Sequence, residues 1–222
     1  LERDMDILLV DAVNVFGNDY ILPRGTLREP ISHISRADVC LMTKVDQAAT
    51  GSCEYIRETV HRYNADAQIV ESIHQPRCFI PLDEWYVDIA GDGIDASSMK
   101  GKKVMAVSAI GNPASFEQTL SDLDTVIIES LRYPDHHDYT MQEMKEILHQ
   151  AERMGAEAII ITEKDAVKIP AEVIHSGWDI PVYVICVEVS FQQGKAEFDQ
   201  LLQQELAAKL GERQPRSGLR SE

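Results

Sequence analysis

Tyr133-Pro134-Asp135-His136-His137-Asp138-Tyr139-Thr140 joins an apolar run, Thr125–Leu131 (T-V-I-I-E-S-L), to an amphipathic stretch, and that junction decides the fold. The apolar run predicts a strand that Pro134 ends. Thr140 predicts a helix N-cap, with Glu143 three residues on to complete a capping box. Met141, Met144, Ile147, Leu148, Ala151 and Met154 then recur at helical spacing, and Gly155 closes the helix. A strand passing through a short turn into a helix is the repeating unit of α/β folds, and chemistry collects at such turns. The segment's paired imidazoles and carboxylates are therefore a candidate site.

The alternation extends in both directions. Upstream, Asp6–Val13 (D-I-L-L-V-D-A-V) reads as a central parallel strand ending in Asp11. A Gly-, Pro- and Asn-rich loop follows to Pro30, then a second buried strand, Ala37–Thr43. Gly51–Tyr63 reads as a helix, and Gln68–Ile73 and Cys78–Leu82 as two strands. The polar stretch Asp88–Lys103 reads as a linker. Beyond it, Lys103–Ile110 predicts a strand, and Asn112 with Pro113 starts a helix carrying Phe116 and Leu120 inward. Ala158–Thr162 and Pro181–Val187 predict further strands, and Phe198–Leu206 a last helix. The polar tail Gly211–Glu222 predicts disorder. The expected architecture is α/β: an incomplete parallel sheet over 1–75, a β-stranded hinge over 76–102 and a smaller self-contained α/β domain over 103–210.

Composition narrows the function. With 21 basic against 37 acidic residues the net charge is −16, which excludes bulk nucleic-acid binding. Cys40, Cys53, Cys78 and Cys186 show no C-x-x-C spacing and read as buried, reduced thiols. No apolar run approaches the ~20 residues needed to span a bilayer.

Four clusters can carry chemistry. Arg28 presents a planar fork suited to phosphate, and neighbouring Glu29 can orient it or hold a metal-bound water; a surface ion pair is the plain reading. Thr43-Lys44-Val45-Asp46 has the form of the T/N-K-x-D base-contact motif of some P-loop proteins, although four residues more often make an ordinary strand-end loop. In the D-H-H cluster a histidine can relay a proton with Asp135 fixing its tautomer, or the pair can bind a metal if the segment is a turn; solvated loop histidines are the bland alternative. Thr162-Glu163-Lys164-Asp165 can face a site or simply cap a helix.

The ordered set of motifs resembles the tetraacyldisaccharide 4'-kinases, the lipid A 4'-kinase family. The matching segments are D-I-L-L-V-D-A-V, Phe16–Pro30, Arg36–Lys44, A-I-G-N-P-A-S-F (Ala109–Phe116), Tyr133–Thr140 and I-T-E-K-D-A-V-K (Ile161–Lys168). The resemblance implies a P-loop kinase of two α/β domains joined by a β-stranded hinge. It implies transfer of the ATP γ-phosphate, with Mg²⁺, to the 4'-hydroxyl of a tetraacyl glucosamine disaccharide at the cytoplasmic face of the bacterial inner membrane. Arg28 and Glu29 would occupy catalytic positions. A D-H-H histidine, His136 by preference, would assist the base with Asp135. His137, Asn112, Lys164 and Asp165 would surround the substrate or support these groups, and Lys44 and Asp46 would lie toward the nucleotide. The sequence contains no G-x-x-x-x-G-K-[ST] and opens on Leu1 rather than Met. It therefore resembles a carboxy-terminal portion, with the main Mg²⁺ ligands and the membrane-associated helix expected upstream and no activity expected from the fragment alone. Two rival readings are a metal-dependent D-H-H phosphoesterase and a noncatalytic assembly module.

Overall fold

The computed structural model describes residues 3–88, 91–174 and 179–212. It is a mixed α/β structure with mostly parallel strands, in two compact units: residues 1–74 with 189–222, and residues 75–188.

In the first unit, β1 (Ile7–Asp11), β2 (Val39–Thr43) and the start of β3 (Gln68–Pro81) pair in parallel. The register sets Asp11 opposite Thr43, so the two strands end level with each other. Val10, Ala12, Cys40 and Met42 pack against Ile56 and Val60 of α1 (Ser52–Tyr63). β1 ends the strand order, and Ile7 and Leu9 are exposed.

In the second unit, β5 (Lys103–Ser108) lies between β6 (Val126–Arg132) and β7 (Ala158–Thr162), and β8 (Val182–Gln193) continues beyond β7, all parallel. Helices cover both faces. Met144, Ile147, Leu148 and Ala151 of α4 (Met141–Met154) pack on Met105, Val107, Ile159 and Ile161. Phe116 and Leu120 of α3 (Pro113–Asp122) pack on Val104, Ala106 and Ile160 of the opposite face. Two covered faces explain why these strands are unbroken apolar runs. Each fully buried aliphatic side chain of α4 contributes about 1.5–3 kcal/mol. Met154, expected inward, is exposed at the helix end. The capping box forms as expected: Thr140 Oγ1 accepts the Glu143 N–H and Glu143 accepts the Thr140 N–H, while Gly155 closes the helix at φ 70°.

Three boundaries differ from the sequence reading. The polar H-Q-P-R stretch of β3 does not break it: Gln68–Pro81 is one strand, crossing from the first unit into the second. Residues 76–102, read as a β-stranded hinge, also carry core side chains. Phe79, Ile80, Trp85 of α2 (Leu82–Val87) and Met99 are buried in the cores of the second unit, and β4 (Ile94–Asp95) pairs with β3. β8 runs past Val187 to Gln193, and the last helix, Lys195–Glu212, groups with the first unit instead of closing a domain over 103–210. The expected disordered tail falls almost wholly outside the described residues.

Candidate active site

The second unit presents the D-H-H segment as a turn, the condition under which adjacent histidines need not point oppositely. Register does the positioning. Ser108 pairs with Arg132, so β5 and β6 end together, and the Tyr133 N–H donates to the Ser108 carbonyl (2.8 Å). The His136 N–H then donates to the Ala109 carbonyl (3.3 Å) and the His137 N–H to the Pro134 carbonyl (3.1 Å).

The two rings have opposite surroundings. His136 has a positive φ of 65° and its side chain is 80% exposed, with Nε2 3.6 Å from Asp135 Oδ2. His137 is stacked on Tyr133 (ring centroids 4.8 Å apart) and meets Tyr139 in a T-shaped contact at 5.3 Å. Its Nε2 lies 3.1 Å from Glu143 Oε1, close enough for an ion pair but without the alignment of a hydrogen bond. That attraction depends on the imidazolium form. His136 is thus the exposed imidazole, with a carboxylate at hand, and His137 is part of the packing.

Of the remaining sequence candidates in this unit, Asn112 caps α3 by accepting the Ser115 N–H (3.1 Å). Lys164 is exposed on α5 (Glu163–Ala166). Asp165 is fully buried and accepts the Ala109 N–H (2.8 Å), the Tyr139 hydroxyl (3.0 Å) and the Thr162 hydroxyl (2.6 Å). Among the described residues no three His, Cys, Asp or Glu side chains converge as metal ligands.

The first unit carries the other group. Asp11, Asn14, Gly17, Arg28 and Glu29 line a cleft of about 590 Å³. Glu29 is exposed and takes hydrogen bonds from His33 Nδ1 (3.0 Å) and Arg36, which hold its carboxyl below the usual range, His33 foremost. Lys44 adopts a left-handed backbone (φ 57°) just after β2, and its Nζ donates to Asp11 Oδ2 (2.7 Å), while Asp11 Oδ1 accepts the Val13 N–H (2.9 Å). Burial pushes the Asp11 carboxyl up, but Lys44 and the Val13 and Asn14 N–H groups outweigh it and leave the carboxyl below its ordinary value. Lys44 is therefore committed to Asp11, and Asp46 stands exposed on the following turn. Asp11 was not among the sequence candidates. The signal was available in an apolar strand that ends on a carboxylate. His74 of β3 feels Lys44, Asp11 and Asp46; burial, with Lys44, lowers its pKa against the two carboxylates.

Parallel strands with charged groups gathered at their carboxyl ends define an α/β protein of the class that binds ligands at strand ends. The chain belongs to the tetraacyldisaccharide-1-P 4'-kinase (LpxK) family, whose model matches residues 1–207. It is 38% identical over 204 residues to a tetraacyldisaccharide 4'-kinase of Elusimicrobium minutum, covering 90% of this chain and 50% of that protein. The corresponding protein of Halothermothrix orenii is 32% identical over 214 residues, covering 86% and 51%. The chain thus spans about half the length of the curated relatives it matches. Its fold is similar to the crystal structure of LpxK from Aquifex aeolicus in complex with ATP, with a TM-score of 0.58 at 21% identity over 92% of this chain and 53% of that one.

Proposed function

We propose that this chain serves in phosphoryl transfer from ATP to the 4'-hydroxyl of a tetraacyl glucosamine disaccharide, at the inner-membrane surface. Among the described residues no helix is long and apolar enough to cross a membrane, and surface association does not require one. The observation that carries the reading is the exposed His136 imidazole beside Asp135, on a turn of a chain that belongs to this kinase family. In this role His136 relays the proton of the attacking hydroxyl, and Asp135 steadies the charge that the ring acquires. His137, Asn112 and Asp165 hold the surrounding backbone, and Lys164 lies at the exposed rim.

In the first unit's cleft Arg28 would contact phosphate oxygens, and Lys44 would keep Asp11 ionised. Both carboxylates there are already paired, Asp11 with Lys44 and Glu29 with His33 and Arg36, so the Mg²⁺ that accompanies ATP is not assigned to them.

Phosphoryl transfer is mainly positioning and charge neutralisation, so a phosphate cradle is required, and these residues carry no G-x-x-x-x-G-K-[ST]. The chain by itself should bind ATP–Mg²⁺ weakly and turn over no substrate. Transfer of labelled phosphate from ATP to the lipid disaccharide should appear when this chain is joined to the remaining half of a full-length relative. No transfer by that longer protein would refute the function. Micromolar ATP affinity of the present chain in calorimetry, about −8 kcal/mol, would refute the need for such a cradle.

A further inference from the structure

Asp165 has no role in relaying protons or meeting substrate, because its side chain is sealed from solvent. A buried carboxylate is costly unless hydrogen bonds compensate it. Three neutral donors do so here, and they come from three separate segments: the end of β5, the connection into α4 and the end of β7. The Thr162–Asp165 contacts are ordinary capping of the short helix α5. Capping explains Oδ2 and leaves Oδ1 unexplained. That oxygen is aimed away from the helix, at the Ala109 N–H and the Tyr139 hydroxyl.

Both Oδ1 contacts lead to the D-H-H turn. Ala109 gives its N–H to Asp165 and takes the His136 N–H on its own carbonyl. Tyr139 packs T-shaped against His137 and Tyr133, and its N–H donates to the Lys168 carbonyl. The turn is thereby gripped on both flanks. It needs to be, because His136 sits at φ 65°, a conformation that persists in a non-glycine residue only when the surroundings enforce it. The bond to Ala109 is long at 3.3 Å, so its geometry depends on where Ala109 is held.

We propose that Asp165 is the positioning residue of the D-H-H turn, fixing the backbone of His136 through Ala109 and the flank of the turn through Tyr139. The catalytic consequence rests on the reading of His136 as proton relay; the positioning does not. The Tyr139 hydroxyl is a dependable donor in this arrangement, since burial and the Asp165 charge push its pKa well up.

Amide hydrogen exchange on the present chain tests the positioning. Asp165→Ala should speed exchange at Ala109 and His136 by roughly tenfold or more, as loss of a hydrogen bond to a charged group implies. Amides in the middle of α4 should keep wild-type rates. Asp165→Asn, which retains an acceptor oxygen, should recover most of the protection. Tyr139→Phe removes one arm with little change of shape and should give a smaller, local increase at His136. Wild-type exchange at Ala109 and His136 in a folded Asp165→Ala protein overturns the proposal. If that variant does not fold, wild-type exchange at His136 in Tyr139→Phe overturns it.

In the longer kinase, Tyr139→Phe should lower kcat several-fold with KM held, and add nothing in a His136→Ala background. Additive losses in that background overturn the link from Asp165 through Tyr139 to His136. If exchange responds as expected while His136→Ala leaves kcat intact, the relay reading fails and the positioning stands.

Discussion

Replacing each D-H-H histidine separately should divide stability from activity. His137 contacts two rings, stacked on Tyr133 at 4.8 Å and T-shaped against Tyr139 at 5.3 Å. Each aromatic contact is worth about 0.5–1.5 kcal/mol beyond burial, so His137→Ala should cost about 2 kcal/mol. The partly exposed Glu143 contact adds at most about 1 kcal/mol, and only when the ring is charged. For a chain of this size that lowers Tm by about 4–8 °C. His136 is 80% exposed, and its positive φ is only slightly harder for alanine than for histidine. His136→Ala should change stability by no more than about 0.5 kcal/mol. In the longer kinase the same substitution should lower kcat by roughly 10²–10⁴-fold with KM little changed, as loss of a positioned acid–base group does. Thermal melts of the present chain and steady-state kinetics of the longer one read the two effects independently. A His136→Ala enzyme with normal kcat, beside a folded His137→Ala enzyme without activity, would move the relay to the second ring. Normal kcat in both would make the segment structural and refute the reasoning.

Thr140→Ala removes the N-cap of α4 and should cost about 1 kcal/mol, read as a fall in the denaturant midpoint at unchanged slope. Thiol reagents at pH 8 should modify Cys53 alone in the native chain, because burial raises the Cys40 and Cys186 thiols to about 12 and closes off Cys78; rapid native labelling of Cys40 would contradict the first unit's packing. The Asp11 carboxyl is held below its ordinary value, so its pairing with Lys44 stabilises the fold fully above about pH 4 and is lost as pH falls through the lowered pKa. Lys44→Met should therefore be less stable than wild type near neutrality, and the two should converge in acid. A difference that grows toward pH 2 would have the wrong sign.

The parts of this protein legible in the sequence are those written in short-range chemistry. The 3.6-residue recurrence from Met141, the Thr140–Glu143 box and the Gly155 stop specify α4 within one stretch of chain, and Pro134 ends β6 for equally local reasons. The α/β class follows from that alternation, and the family from the order of the motifs. Where local signals were ambiguous the reading failed: the polar middle of β3 resembled a break, and only the pairing of its flanks keeps it one strand.

Long-range contacts decided what makes up the site. Nothing local to Asp135-His136-His137 tells which ring is free, because the difference comes from Tyr139, which folds back over His137 and is itself held by Asp165, 26 residues away. Asp165 reaches Ala109 across 56 residues, and Lys44 reaches Asp11 across 33. These partners are set by parallel register, which levels the carboxyl ends of strands distant in sequence. The sequence by itself therefore determined the elements, their order and the turn that bears the histidines. Tertiary structure alone decided which side chains meet there, because hydrogen bonds between strand ends depend on how the strands align and not on the residues beside them in the chain.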